Sequence, residues 1–344
     1  MDSRPMADRT AVIDGFLAAA GWADAERRPL AADASFRRYE RLTRNGTTMV
    51  LMDAPPPHED VGPFLRVAGA LTGLGLSAPR PVASDETAGL VLLEDLGDRT
   101  FTRALAEGAN EAALYGLAVD LLIDLHRRWR RDAAGDAPPP PYDDERLLDE
   151  ALLLVDWTLP ALRGAAPAPA LRDSYIEAWR AVLPRARAVP DGLVLRDYHV
   201  DNLMLLPDRA GVAACGLLDF QDAVVGPVSY DVVSLLEDAR RDISPALVEA
   251  MLSRYLAAFP EVDGRAFRDS YAILGAQRAA KIIGIFTRLD RRDGKSQYLR
   301  HIPRVWRLLA EGLTRPVLAP VRDWFDREVP AAERIAPPPP QEAR

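Results

Sequence analysis

Two short stretches in the middle of the chain hold the residue types that transfer of a phosphoryl group requires. The first is a polar turn between two apolar runs, in which Asp197 and Asn202 have an Asp-x-x-x-x-Asn spacing. The second is the apolar run 212–218, which leads directly into Asp219. A carboxylate can accept the proton of an attacking hydroxyl, and amide and carboxylate oxygens are ligands that Mg²⁺ prefers. We therefore predict Asp197 as the catalytic base and Asn202 and Asp219 as magnesium ligands.

The elements around these residues must hold them in place. Short apolar runs bounded by turn residues predict strands at 192–195, 203–206 and 212–218, on both sides of the polar turn. Most of the remaining C-terminal sequence has helical periodicity, as in 114–125, where leucines recur at helical spacing on one face. Further helices are predicted at 143–156, 169–187, 229–239, 245–258, 264–289 and 298–313.

The N-terminal part of the chain favours strands. Two strand-like runs flank Asn45-Gly46, a strong hairpin signal because both residues tolerate positive φ. The other predicted elements are helices at 8–20 and 60–75 and strands at 79–82 and 89–94. We therefore predict an α+β fold in two lobes, followed by a disordered tail. The predicted parts are a small antiparallel-sheet lobe at 1–96, a mostly helical lobe at 97–330 and the tail at 331–344.

Length and composition narrow the class of protein. The chain has 344 residues, 48% of them hydrophobic and 27% charged, which suits a globular protein with a sizeable core. Its net charge of −8 argues against a nucleic-acid binder, which needs a basic surface. The single cysteine, Cys215, excludes an intramolecular disulfide. Because we find neither a secretory signal nor about 20 consecutive apolar residues, we expect a cytoplasmic protein without a membrane segment.

The pattern around Asp197 and Asp219 resembles the catalytic loop and metal-binding aspartate of the kinase superfamily, and more closely that of the aminoglycoside phosphotransferase family. His199, Gly226-Pro227 and Asp231 also match the family pattern, whereas Leu195 stands where the family usually has a histidine. The resemblance implies a protein-kinase-like fold, with ATP as co-substrate bound at the junction of the lobes and Mg²⁺ as cofactor.

A narrower resemblance is to the anomeric sugar kinases of bacterial cell-wall recycling. It implies phosphorylation of the C1 hydroxyl of N-acetylmuramate or N-acetylglucosamine, and a nucleotidyltransferase that consumes the product. We expect a monomer. The alternatives are a kinase of another small alcohol or of an aminoglycoside, and a nucleotide-binding module without activity. The segments that carry the resemblance are 34–39 (ASFRRY), 52–55 (MDAP), 93–98 (LEDLGD), 284–288 (GIFTR) and 292–295 (RDGK).

The same resemblance suggests where the nucleotide binds. Kinases use a lysine of the third strand to hold the α- and β-phosphates, but the corresponding position here is Met52, and no lysine precedes Lys281. A guanidinium group also binds phosphate well, so an arginine of the 34–39 segment could replace that lysine. The predicted nucleotide-binding residues are Ser35, Phe36, Arg37, Arg38, Glu94 and Leu96.

Candidates for acceptor binding come from the catalytic loop and from a basic segment. Residues 276–307 contain nine basic side chains and two acidic ones, in a chain that is acidic overall. Such a bias suits an anionic group on the acceptor and disfavours a polycationic aminoglycoside, although these cations could equally pair with acidic residues elsewhere in the protein. The predicted acceptor-binding residues are His199, Asp201, Gln221, Arg278, Lys281 and Arg288.

Overall fold

The computed structural model describes residues 6–30, 36–131 and 138–339. Contacts divide the chain into two compact units. The first unit contains the residues up to Leu121 together with Val200–Ala223, and the second contains Leu122–Arg131, Pro140–His199 and the chain from Val224 onward. This division differs from the predicted boundary between residues 96 and 97, because residues 97–121 and 200–223 belong to the first unit.

The described residues form nine β-strands and thirteen α-helices. The strands are β1 (Glu26–Pro29), β2 (Arg38–Arg44), β3 (Thr47–Asp53), β4 (Pro81–Asp85), β5 (Leu90–Glu94), β6 (Asp191–Val194), β7 (Leu203–Leu205), β8 (Cys215–Leu217) and β9 (Val224–Pro227). The helices are α1 (Met6–Ala19), α2 (Gly62–Gly73), α3 (Phe101–Ala106), α4 (Glu111–Arg128), α5 (Asp144–Leu153), α6 (Leu159–Arg163), α7 (Pro169–Arg180), α8 (Leu183–Ala186), α9 (Ser229–Leu236), α10 (Pro245–Ala257), α11 (Gly264–Asp293), α12 (Ile302–Leu313) and α13 (Ala319–Glu328). In the part of the chain that the structure describes, no helix is both long enough and apolar enough to cross a membrane.

The first unit is built on an antiparallel sheet of order β1-β2-β3-β5-β4. The predicted hairpin joins β2 to β3, and its turn residues Asn45 and Gly46 have φ values of 49° and 74°. Leu90 and Leu92 of β5 belong to the core beneath α1 with Ile13 and Leu17 of that helix, because alternate residues of a strand face the same side. The edge strand β1 was not predicted, since its sequence, ERRP, has no apolar alternation.

A two-stranded ribbon also belongs to the first unit. Strands β7 and β8 pair antiparallel, with Leu203 opposite Leu217. The backbone N–H of Leu217 donates to the carbonyl of Ser77 at 2.8 Å, and the Ser77 hydroxyl donates to the carbonyl of Ala213 at 2.6 Å. Residues Gly211–Ala214 form a 3₁₀ turn that leads into β8, although 212–214 were predicted as part of a strand. These bonds attach the ribbon to the segment that follows α2.

Helix α11, of 30 residues, runs through the second unit and is buried along most of its length. Asp263 caps its start by accepting hydrogen bonds from two backbone N–H groups, and Gly294 ends it in a left-handed conformation. Gly284 lies against the backbone of Leu153, where an added Cβ would come within 2.3 Å of a carbonyl carbon. Only glycine fits this contact, which lies where α5 passes into a π-helical turn at Leu154–Thr158.

The structure of the second unit differs from the sequence prediction in three places. The predicted helix 169–187 forms α7 and α8, because Pro184 has no N–H for the helical ladder and instead begins a new helix. Helix α13, not predicted, packs its Trp324 against Tyr175 of α7. The tail predicted to be disordered from residue 331 is folded over 331–339, where Trp306 Nε1 donates to the carbonyl of Ile335 at 3.2 Å. Residues 340–344 lie outside the described residues.

Candidate active site

The ribbon of the first unit brings two of the predicted functional residues together. Asn202 directly precedes β7 and Asp219 follows β8 by two residues, so antiparallel pairing places them at the same end. Asn202 Nδ2 donates to Asp219 Oδ2 at 3.3 Å, and the Asn202 carbonyl accepts from the N–H of Leu218 at 2.9 Å. The predicted nearness of Asn202 to Asp219 is therefore confirmed, and their role as metal ligands stays a prediction.

Asp219 is held in an unusual backbone conformation. Its φ is +59°, a left-handed value that costs free energy for a residue other than glycine and is often found at functional sites. On one side, Gln221 Nε2 donates to Asp219 Oδ1 at 2.8 Å. Phe220, which is fully buried, stacks on Phe64 of α2 with ring centroids 5.1 Å apart. The buried ring thus anchors the turn that presents the carboxylate, and Gln221 lies in contact with the predicted metal ligand.

A cavity of about 260 Å³ opens beside this pair in the first unit. Apolar side chains form one part of its wall, among them Leu30, Val50, Leu96, Met204 and Leu218. Asn202, Asp219 and Gln221 form the polar part. A mostly apolar cavity with a few polar groups has the composition usual for a small-molecule site.

The end of β5 and the residues after it contribute two of the predicted nucleotide-binding residues to the same cavity. Glu94 and Leu96 both line it. The Glu94 carboxylate is paired with Arg209 at 2.7 Å, and the neighbouring Asp95 accepts from Arg41 Nε at 2.7 Å. These ion pairs hold the side chains of Glu94 and Asp95 in place.

Arg37 lies near Asp219, one of the predicted metal ligands. An arginine that replaces the strand lysine of other kinases would need such a position. Its guanidinium is paired with Glu59 at 3.1 Å, and both side chains are largely buried. Burial lowers the pKa of Arg37, but Tyr39, Glu59 and Asp219 together raise it above its usual value. Met52, in the lysine's position, is buried in the sheet.

The other predicted residues of this hairpin have different surroundings. Arg38 begins β2 and is exposed. Phe36 is 66% exposed and stacks on His58, with ring centroids 5.0 Å apart, while its N–H donates to Glu59 at 3.2 Å. Ser35 lies outside the described residues. Arg37 has an electrostatic interaction with Asp219.

In the second unit, Asp231 braces the backbone that leads to Asp197. The buried Asp231 carboxylate accepts hydrogen bonds from the N–H groups of Leu195 at 2.6 Å and Arg196 at 2.9 Å. Burial raises the pKa of Asp231 to about 7, although the two backbone N–H groups oppose this shift. Arg196 has a φ of +70°, so the residue before the predicted base is held in a left-handed conformation. A carboxylate at the start of α9 thus fixes the catalytic loop.

Glu150 of α5 connects the catalytic loop to α11. Its carboxylate accepts from Arg196 Nη2 and from the hydroxyl of Tyr142, and it lies 3.1 Å from Lys281 Nζ. Lys281 also donates to the hydroxyl of Tyr230 at 3.3 Å. Burial would raise the pKa of Glu150, but Lys281 and Arg196 hold it below its usual value. The network therefore contains a buried anion between two cations, one of which adjoins Asp197 in the chain.

The charges around Asp197 favour its carboxylate form. Burial would raise the pKa of Asp197, but Lys281, His199, Arg278 and Arg196 lower it below its ordinary value. A base that must accept a proton at neutral pH needs to be ionised there, which these cations secure.

The remaining acceptor candidates divide between the two units. In the first unit, Asp201 Oδ1 accepts from the hydroxyl of Thr102. In the second, His199 is buried, and burial lowers its pKa, an effect that Asp238 and Asp197 oppose. Arg278 is also buried and donates to the carbonyl of Glu237 at 3.2 Å.

Many cations of the basic segment 276–307 pair with acidic residues. This is the alternative to binding an anionic acceptor. Arg304 and Arg307 both contact Asp242, Arg291 pairs with Asp290, and Lys281 pairs with Glu150. Arg288 differs, because burial and the nearby Arg292 lower its pKa and its Nε has no hydrogen-bond partner among the described residues. The net charge of the segment alone therefore does not identify an anion site.

Sequence reasoning missed Glu150 and Asp238. Glu150 lies in the middle of a helix, 46 residues before Arg196, and no local pattern marks it. Asp238 follows α9 and is 2% exposed, with its Oδ1 accepting from the N–H of Arg240 at 2.7 Å. A buried aspartate two residues after a helix resembles an ordinary capping residue in the sequence, so no signal distinguished it.

Comparison with known proteins shows the family of the chain. Residues 26–267 match the phosphotransferase enzyme family. An N-acetylmuramate/N-acetylglucosamine kinase of Caulobacter vibrioides is 39% identical over 95% of this chain and 98% of that protein. A protein of the same name from Pseudomonas aeruginosa is 39% identical over 88% of this chain and 89% of its own length.

Solved structures show the same fold at lower identity. A choline/ethanolamine kinase family protein from Mesorhizobium loti has a TM-score of 0.61 and 14% identity, over 92% of this chain and 99% of its own. The GDP complex of aminoglycoside 2'-phosphotransferase-IIIa has a TM-score of 0.60 and 17% identity, over 88% and 98%. The predicted protein-kinase-like fold, with a small antiparallel sheet and a mostly helical remainder, is thereby confirmed. The chain belongs to the phosphotransferase enzyme family and is a homologue of the N-acetylmuramate/N-acetylglucosamine kinases within it.

Proposed function

We propose that this enzyme transfers the γ-phosphoryl group of ATP to the C1 hydroxyl of N-acetylmuramate and N-acetylglucosamine in peptidoglycan recycling. The observation that carries the proposal is the 39% identity to a kinase of that name over nearly the whole length of both chains. The residues that the chemistry needs are present, with a base in Asp197 and an amide and carboxylate pair in Asn202 and Asp219.

Asp197 is the proposed catalytic base. Its ionised carboxylate accepts the proton of the C1 hydroxyl as the oxygen attacks the γ-phosphorus. The cations around it keep it ionised, and the brace from Asp231 holds the loop in one conformation. A fixed base lowers the barrier because the proton acceptor is already oriented when the substrate arrives.

Asn202 and Asp219 are the proposed ligands of Mg²⁺. The fit rests on their chemistry, because a carboxylate and an amide oxygen are both hard donors and the two side chains already touch at 3.3 Å. Magnesium usually takes only one or two carboxylates from a protein and completes its shell with phosphate oxygens and water. When bound, the ion would neutralise charge on the β- and γ-phosphates.

Arg37 is the proposed replacement for the strand lysine. Its pairing with Glu59 keeps the guanidinium oriented, and its interaction with Asp219 supports a position near the phosphates. Arginine binds phosphate through two parallel hydrogen bonds, so it can act where other kinases use a lysine.

The surroundings of the reaction follow from its substrates. Because ATP is the phosphoryl donor, we propose that the enzyme acts in the cytoplasm. We also propose that it is a monomer. Its product would be a sugar 1-phosphate, the type of compound that a nucleotidyltransferase consumes.

A panel of acceptors tests this proposal. The enzyme is incubated with ATP and Mg²⁺ and with N-acetylmuramate, N-acetylglucosamine, kanamycin or choline, and release of ADP is followed. We expect ADP release with the two amino sugars and not with the two cationic alcohols. Turnover of only kanamycin or choline would replace the proposed acceptor, and ADP release with none of them would favour a nucleotide-binding module without activity.

A further inference from the structure

Arg41 of β2 lies at the centre of a hydrogen-bond network with the segment 95–98, which follows β5. Its guanidinium donates to both carboxylate oxygens of Asp95, from Nε at 2.7 Å and from Nη2 at 3.1 Å. It also donates to both oxygens of Asp98, from Nη1 at 2.8 Å and from Nη2 at 2.9 Å, and to the carbonyl of Gly97 at 3.2 Å. One side chain therefore contacts three of the four residues of the segment.

The segment depends on these side-chain contacts for its conformation. Leu96 and Gly97 make no backbone–backbone hydrogen bond with other described residues. Instead, the N–H of Gly97 donates to Asp95 Oδ1 at 2.9 Å, and Gly97 has a φ of +82°, which favours glycine. The side chains of Arg41 and Asp95 are 21% and 5% exposed, so water screens their attraction only in part. Loss of the guanidinium should therefore loosen the segment.

The same segment forms part of the wall of the 260 Å³ cavity of the first unit. All four residues 95–98 line this cavity, together with Arg41 itself and the proposed metal ligands Asn202 and Asp219. Because a planar guanidinium binds carboxylates through a rigid fork of donors, its two bidentate pairs allow the segment few orientations. Arg41 thus determines the shape of this part of the cavity.

Charge assigns the segment to the nucleoside part of a nucleotide and not to its phosphates. Asp95 and Asp98 together carry one more charge than Arg41 offsets, so the network repels a triphosphate. The cavity wall also contains apolar side chains, among them Leu93 and Met204, which suit a base.

We propose that Arg41 is a positioning residue for ATP, which holds residues 95–98 in the conformation that receives the nucleoside. This inference rests on the proposed function, in which ATP is the phosphoryl donor, and on the placement of Glu94 and Leu96 in the nucleotide site. Arg41 acts through the segment, so it contributes to affinity by reducing the ordering that binding requires.

The test uses adenosine, which has no phosphates, and measures its Kd by isothermal titration calorimetry. We expect Arg41→Met to raise the Kd of adenosine and the KM for ATP by the same factor. The expected factor is about tenfold, as for a segment that has the competent conformation about 10% of the time. The KM for N-acetylglucosamine should be unchanged. Arg37→Ala should instead raise the KM for ATP and leave the Kd of adenosine unchanged, since Arg37 is proposed to bind phosphate.

Arg27→Met is the matched control. Arg27 lies on the neighbouring strand β1, its side chain is 28% exposed, and it pairs with Asp14 at 2.8 Å and with Glu40 at 2.6 Å. It is not among the described residues that line the cavity. Both substitutions leave two carboxylates without their cation and should lower the thermal midpoint. Of the two variants, only Arg41→Met should weaken adenosine binding.

Two results would overturn the inference. One is a wild-type Kd of adenosine in folded Arg41→Met, and the other is an equal rise in Arg27→Met, which would indicate a general loosening of the sheet. Arg41→Lys keeps a positive charge beside Asp95 but lacks the planar fork of donors, so it covers the case in which Arg41→Met does not fold. A wild-type Kd in Arg41→Lys would then overturn the inference. If the wild type binds adenosine but phosphorylates no amino sugar, the proposed function fails, while the comparison of Kd values still decides the role of Arg41.

Discussion

Replacing Lys281 with methionine separates the electrostatic role of α11 from its packing role. Methionine keeps the length of the side chain and removes its charge. Lys281 Nζ lies 3.1 Å from the Glu150 carboxylate, and the two side chains are 9% and 11% exposed. At an effective dielectric constant of about 20, two unit charges at this separation interact by about 5 kcal/mol, part of which offsets desolvation. Because Glu150 would lose one of its two cations, we expect the free energy of unfolding to fall by about 3 kcal/mol or more.

The same substitution should change the pH dependence of the reaction. Lys281 is the first of the positive charges that lower the pKa of Asp197. The base works as a carboxylate, at pH values above its pKa, so loss of Lys281 raises that pKa and moves the acid limb of the kcat/KM profile to higher pH. The size for a nearby buried charge is about one to three pH units.

Lys295 provides the matched control, because it is the second of two lysines in the chain. It is partly exposed and acts on Asp293 at the end of α11. Lys295→Met should leave both the acid limb and the stability close to those of the wild type. The assay is initial rate against pH from 5 to 9 for the three proteins, with urea unfolding in parallel. An acid limb at the wild-type position in a folded Lys281→Met protein would refute the proposed influence of Lys281 on Asp197.

Three further predictions concern Asp219, Arg37 and Asp231. Asp219→Ala should abolish turnover at ordinary Mg²⁺ concentrations, and persistent activity would locate the metal elsewhere. Arg37→Ala should raise KM for ATP about 10- to 100-fold, as for a lost charged hydrogen bond, whereas the exposed Arg38→Ala should not; equal effects would remove Arg37 from its role. Asp231 has a pKa of about 7 in the folded protein against about 4 unfolded, so its contribution to stability is complete below about pH 4 and is lost as pH rises to about 7. Relative to Asp231→Asn, the wild type should therefore lose about 2–3 kcal/mol of unfolding free energy between pH 5 and 8 in urea titrations; parallel curves would contradict this.

Local patterns in the sequence predicted those structural features that are determined by residues close together in the chain. Asn45-Gly46 specified a hairpin because the turn needs two residues at positive φ, and they have it. The pairing of Asn202 with Asp219 could be predicted because two short strands joined by a turn must lie antiparallel, which brings the start of one next to the end of the other.

What escaped prediction depends on contacts between distant segments. The pair of Glu150 and Lys281 joins residues 131 positions apart on two helices, and neither position has a local signal. The basic segment was ambiguous for the same reason, since Asp242 and Glu150, which pair with three of its cations, lie outside it in the sequence. Whether a buried polar atom such as Asp238 Oδ2 has a partner can be known only from the packed structure.

The most direct test of the central claim is a ³¹P NMR measurement of the product formed from ATP, Mg²⁺ and N-acetylmuramate by the wild type and by Asp197→Asn. The wild type should give a phosphorus resonance coupled to the proton on C1, the signature of a 1-phosphate. The variant should bind ATP normally and form the same product with kcat lower by about 10²–10⁴, the range for a positioned acid–base group. Phosphate on another oxygen of the sugar would contradict the proposed reaction, and near-normal turnover in folded Asp197→Asn would contradict the proposed base.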